Sequence, residues 1–114
     1  MDAQTETIAL ESGDAVILAI SGELDLAASD SFSRIAEGAS SNAARLIIDL
    51  SNCSFMDVAA LRRIAELSPA FETRSGRSVP VSIVAPHGSP VARLLIIGTD
   101  AELRLFETRV AAIG

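Results

Sequence analysis

Three carboxylates occupy positions from which a side chain can reach the rim of a β-sheet. Asp25 and Asp49 each stand at the end of an apolar run, and Asp57 stands just before another. Acid–base catalysis needs carboxylates in pairs at a workable spacing, and no such pair stands out here. Asp25 and Asp49 are read equally well as a turn former and as a loop or cap ligand. His87 in the stretch PHGSP reads as a loop residue, and Cys53 as a small buried apolar side chain. One histidine and one cysteine cannot build a His/Cys metal site. A chain without lysine has no phosphate-binding P-loop, no Gly-x-Gly-x-x-Gly follows a strand, and there is no Gly-x-Ser-x-Gly elbow. The expectation is a protein with no catalytic residues, no metal and no cofactor, and therefore no enzyme.

The junction DLSNCSFMDVAAL, residues 49–61, has the shape of chemistry without the means. A buried strand, a turn and a helix start follow one another, and Asp57 suits the N-cap because its carboxylate can accept orphan backbone N–H groups. Yet Val58, Ala59 and Ala60 offer no reactive atom. Arg62 and Arg63 follow, and they read either as a solvated helix face or as cations meeting an acidic partner.

The elements that must position this junction can be read from periodicity. Residues 5–11 alternate as a half-buried strand does, Ser12-Gly13-Asp14 is turn chemistry, and residues 15–21 form a nearly continuous apolar strand. The first two strands are expected to form a hairpin, and Gly22-Glu23-Leu24-Asp25 to break the pattern. Phe32, Ile35, Ala36 and Ala39 recur at helical spacing, and residues 45–50 are a second buried strand. Leu61, Ile64, Ala65 and Leu67 give the next helix its apolar side; Pro69 should interrupt or kink it, Phe71 continue its face and Gly76 stop it. Residues 81–85 are a third buried strand. Ser89-Pro90 opens a helix that ends at Gly98, residues 99–102 have capping-box spacing, and Leu105-Phe106 begin a last short strand or a docked segment. The order β-β-α-β-α-β-α-β predicts an α/β fold with a mixed sheet of about five strands.

With 114 residues, 49% of them hydrophobic, one domain spanning 1–114 is expected. The longest apolar run, Ala15 to Ile20, is far short of a bilayer span, and MDAQTETI is unlike a signal peptide. The lone cysteine suits a reducing compartment. These features predict a cytoplasmic protein without direct membrane insertion. A net charge of −6 argues against a nucleic-acid partner.

Combined with this order, three stretches resemble the STAS domains, the anti-sigma-factor antagonists and their relatives. Ser21-Gly22-Glu23-Leu24-Asp25 is similar to the family's signature after the second strand. Leu46 to Ser51 with Phe55-Met56-Asp57 resembles its central motif, and Ser89 to Arg93 with Leu105-Phe106 its third helix and last strand. The resemblance implies a non-catalytic interaction module whose partner is an anti-sigma factor of the serine-kinase type. It also implies a partner surface around Asp25, Asp57, Val58, Ala59 and Arg62.

The family pattern after the aspartate is two hydroxyl residues and then Gly-Leu-Gly, and the partner kinase phosphorylates the second hydroxyl. Here Val58 and Ala59 hold the hydroxyl positions, and Ala60 and Arg62 the glycine positions. Ala59 is a degenerate phospho-acceptor with no oxygen to modify, leaving Ser51 and Ser54 as substitutes upstream. Relatives also carry a final amphipathic helix. Here only ETRVAAIG remains, too short to be helical alone, so that helix is expected to be short or missing. An uncovered surface would favour association with a second copy or another protein. Two other readings stay open: a soluble accessory subunit of a membrane transporter, and a sensor of nucleotides or other small ligands using Arg62 and Arg63.

Overall fold

The computed structural model describes residues 1–73, 76–100 and 102–114. The first two strands, β1 (Asp2–Leu10) and β2 (Gly13–Leu24), pair antiparallel across the two-residue turn Glu11-Ser12. Gly13 takes φ +115°, and a Cβ there would lie 2.8 Å from the Ala44 methyl, so both conformation and space demand glycine at the turn's exit. Helix α1 (Leu26–Ser40) leads to β3 (Arg45–Met56), and α2 (Val58–Leu67) follows. Two short strands, β4 (Ala70–Glu72) and β6 (Leu105–Phe106), flank the far side of β5 (Ser78–Val84). Helix α3 (Pro90–Ile97) lies between β5 and β6, and α4 (Arg109–Ile113) ends the chain.

The main sheet order is β1-β2-β3-β5-β4, with β6 parallel to the end of β5. The central pairs β2–β3 and β3–β5 are parallel, and β1 and β4 are antiparallel edges. The expected α/β fold with a mixed sheet is therefore present. It has one strand more than the five expected, because residues 70–72 pair with β5 instead of extending a helix. The helix ends at Leu67, with Ser68 in an extended conformation before Pro69. A residue preceding proline is disfavoured in the helical region, so the chain stops there rather than kinks. The Phe71 side chain, expected to extend the helix face, lies outside what is described. Residues 99, 100 and 102–104 form no helix, and the remaining member of that expected capping box, Ala101, lies outside the described residues.

Two apolar layers sandwich the sheet. On one face Leu18, Ile20, Leu46, Ile48, Leu50, Val81 and Ile83 meet Phe32 and Ala36 of α1, Leu61 and Ile64 of α2, and Val91 and Leu95 of α3. On the other face the layer is small: Ala15, Ile17, Ile47 and Val84 are covered by Ala112 of α4. Arg77 closes the end of α1, donating to the carbonyls of Ser40 and Ser41 at its C-terminus and of Ala43 in the loop that follows.

The five-residue α4 owes its order to docking. Thr108 caps it, accepting from the Ala111 N–H at 3.2 Å, and Arg45 donates to the Ile113 carbonyl at 2.9 Å. Arg109 holds the buried Asp49 carboxylate at 2.5 Å through Nε and Glu6 of β1 at 3.0 Å through Nη1. Asp49 also accepts the Ser51 hydroxyl at 2.6 Å and the Ser51 N–H at 2.9 Å. Burial alone would raise the Asp49 pKa. The Ser51 hydroxyl, Arg109 and the Ser51 N–H outweigh it, and the carboxyl is held below its ordinary value of 3.8. The tail thus caps the small apolar layer beneath it.

Removing one partner of a buried ion pair strands the other charge. Because Arg109 is itself half-exposed and water screens the pair, Arg109→Ala is expected to cost about 1–2 kcal/mol of unfolding free energy, measured by urea denaturation, with α4 amides losing hydrogen-exchange protection first. The pH dependence follows from the sign of the Asp49 shift. Its contribution is complete above the unfolded value of about 3.9 and is lost as pH falls through the lower folded value. Asp49→Asn should accordingly be less stable at pH 7 yet show a shallower acid loss than the parent protein, read from urea midpoints across that range.

Candidate functional site

The starts of α1 and α2 meet at one carboxylate. Asp25 caps α1, its Oδ1 accepting from the Ala28 N–H at 3.1 Å. Asp57 caps α2 through Oδ1, which accepts from the Ala60 N–H at 3.0 Å, while its Oδ2 accepts from the Leu26 N–H of α1 at 2.8 Å. Each helix start carries orphan donors and partial positive charge, and a single anion satisfies both. A carboxylate is suited to this bridge because its two oxygens accept independently.

The upper half of β3 explains how Asp57 reaches that position. Residues 51–56 were read as a turn but remain strand, paired with residues 21–24 of β2. Ala19 pairs with Asp49, Ser21 with Asn52, and Glu23 with Phe55, so β3 carries two extra residues against its partner. These bulges break the two-residue alternation. Leu50, Cys53 and Met56, three apart, all point into the larger core, while Phe55 turns outward. Ser54 donates to the Gly22 carbonyl at 3.2 Å and stitches the two strands together. Cys53 is buried with its thiol donating to the Phe55 carbonyl; burial pushes its pKa up and leaves it protonated.

The outer surface of this junction is apolar. Leu26 is 71% exposed, Val58 59% and Phe55 49%. Ala27 is also exposed and Ala59 half-buried, whereas Ala60 turns fully inward. Ala59 therefore lies at the surface, one residue from a core position, in the first turn of α2. Arg62 is exposed, one turn beyond Val58. Its neighbour Arg63 reaches across to Asp30 of α1 at 3.1 Å and to Glu66 at 3.6 Å, tying the two helices at the surface.

All five residues singled out from the sequence, Asp25, Asp57, Val58, Ala59 and Arg62, lie at the starts or in the first turns of these two adjacent helices. Asp25 is a helix cap rather than a turn former. Asp49 is not at this rim: it faces α4 on the opposite side of the sheet, together with Ser51. Leu26 and Phe55 were missed. Leu26 falls outside the helical stripe of Phe32, Ile35 and Ala36, and that mismatch was the available signal of an outward apolar side chain. His87 is exposed in its loop, 3.6 Å from Glu107. No cluster of three or more metal-ligating side chains occurs among the described residues, and no helix described is long and apolar enough to cross a membrane.

Comparison with known proteins supports this architecture. Over 98% of its length the chain superimposes on an anti-sigma factor antagonist from Mycobacterium paratuberculosis, covering 92% of that chain with a TM-score of 0.70 and 19% identity. A putative anti-sigma factor antagonist from Thermotoga maritima matches with a TM-score of 0.64 and 16% identity, over 96% of this chain and 91% of that one. The Bacillus cell fate determinant SpoIIAA in its phosphorylated form matches with a TM-score of 0.57 and 22% identity, over 98% and 96%. At these identities the likeness concerns the fold. No curated protein matches by sequence. The STAS domain family itself matches residues 6–112, nearly the whole sequence. The chain belongs to the STAS domain family.

Proposed function

We propose that this protein, acting as one domain over residues 1–114, is a non-catalytic interaction module of the anti-sigma-factor-antagonist type. Its partner in this reading is an anti-sigma factor of the serine-kinase type in the bacterial cytoplasm. It regulates transcription by occupying that partner. The observation that carries the proposal is the exposed apolar rim of Leu26, Phe55 and Val58 around the first turn of α2. Contiguous apolar side chains held outward on rigid elements mark interaction surfaces. The carboxylates of Asp25 and Asp57 hold the shape of that rim through backbone bonds.

Ala59 makes the module constitutive. A phosphoryl group would bring about −1.5 to −2 charges onto a surface that packs without them, but a methyl group cannot receive it. Ser51 is unsuited as a substitute, since its hydroxyl is bonded to Asp49 on the other face of the sheet. The nucleotide-sensor alternative loses one of its two cations, because Arg63 is engaged by Asp30 and Glu66.

Titration calorimetry with the serine-kinase-type anti-sigma factor of the same genome tests the reading. Val58→Glu should weaken binding at least roughly tenfold, as a charge in the centre of an apolar contact does; unchanged affinity would remove the rim from the interface. Incubation with that kinase and MgATP should leave the protein unlabelled. Label on Ser51 or Ser54, located by mass spectrometry, would show that a switch survives elsewhere.

A further inference from the structure

The charges around the rim are unevenly satisfied. Asp25 and Asp57 spend their carboxylates on helix N–H groups. Arg63 is paired with Asp30 and Glu66. Ser54, the polar side chain between β2 and β3, donates to the Gly22 carbonyl. Arg62 differs from all of these: it makes no ion pair or hydrogen bond among the described residues, although Glu66 stands one turn further along the same helix. It projects from the turn that follows Val58, at one border of the apolar patch. Glu23, which pairs with Phe55 across the β2–β3 register, is exposed and lines a cavity with Met1 and Asp25.

We infer that Arg62 is a specificity-determining contact, and that the protein docking on Leu26, Phe55 and Val58 places a carboxylate side chain against it. This rests on the docking reading above and adds to it the chemistry of the partner surface: an apolar centre with an acidic group on the α2 side. Charge complementarity supports this choice of occupant. A planar guanidinium bordering a water-excluding patch favours bidentate pairing with a carboxylate, which fixes orientation as well as strength. The helix gives the cation no counter-charge of its own, because Glu66, its acidic neighbour four residues on, is paired with Arg63. Its local surroundings therefore give it no stabilising role.

The sequence supplies a direct test, because the chain contains no lysine. Arg62→Lys introduces the sole side-chain amine. With the anti-sigma factor bound, a carbodiimide should join that amine to a partner carboxylate, giving a covalent heterodimer above the background that the wild-type α-amine produces. Peptide mapping then identifies the acidic residue. In parallel, Arg62→Glu should weaken binding by at least roughly tenfold and reverse the sign of its salt dependence, with an unchanged melting temperature showing that the fold is intact. If Arg62→Glu binds as wild type does, or if the Arg62→Lys complex forms without the cross-link, the inference falls. Should Val58→Glu abolish binding in either case, the docking reading still stands. An anti-sigma factor that does not bind the wild-type protein overturns both.

Discussion

Two helix starts compete for negative charge at this rim, and one carboxylate serves them both. Asp57 accepts from Ala60 with one oxygen and from Leu26 with the other, at 3.0 and 2.8 Å. Without such an anion, the N-termini of α1 and α2 would present unsatisfied donors and like partial charges to each other. Their close approach depends on it, and so does the placement of Leu26 beside Val58. Arg63 reinforces the approach from further down, yet a surface ion pair of that exposure contributes at most about 1 kcal/mol. The rim is thus organised chiefly by backbone donors and a half-buried acid. Its outer side chains are left free of structural duty.

How much of this was readable in advance depended on whether an element kept its period. The parallel strands at residues 15–21, 45–50 and 81–85 are mostly apolar runs, and the sheet contains all three. Asp57 and Ser89-Pro90 announced helix starts by local chemistry, and both cap as expected. The upper half of β3 was illegible because its bulges space Leu50, Cys53 and Met56 three apart, a pattern that belongs neither to a flat strand nor to a helix. The segment after Leu67 misled because the apolar residue beyond Pro69 suits a helix face as well as an edge strand. The Asp49–Arg109 pair joins residues 60 apart in sequence; no local signal encodes such a contact.

The C-terminal segment shows the same division between local weakness and tertiary support. Five residues cannot hold a helix in water. Here Ala112 fills a place over Ile17 and Ile47, while Arg45 and Arg109 grip the segment from β3 and through Asp49. The fully buried apolar layer beneath is small, with Ile8, Leu10, Phe106 and Ile113 packed partly buried around it and the Arg109 ion pairs to Glu6 and Asp49 alongside. The two faces of the sheet are covered by unequal means: three helices on one and α4 on the other.

The bulges in β3 have an evolutionary consequence. In a flat strand every residue alternates between duties, so a change in what solvent sees is constrained by what the neighbouring position gives to the interior. Two inserted residues uncouple those duties in the upper half of β3. Asn52, Ser54 and Phe55 look outward, while Cys53 and Met56 alone anchor the segment inside. The outward positions can therefore be substituted without disturbing what the segment contributes to the interior.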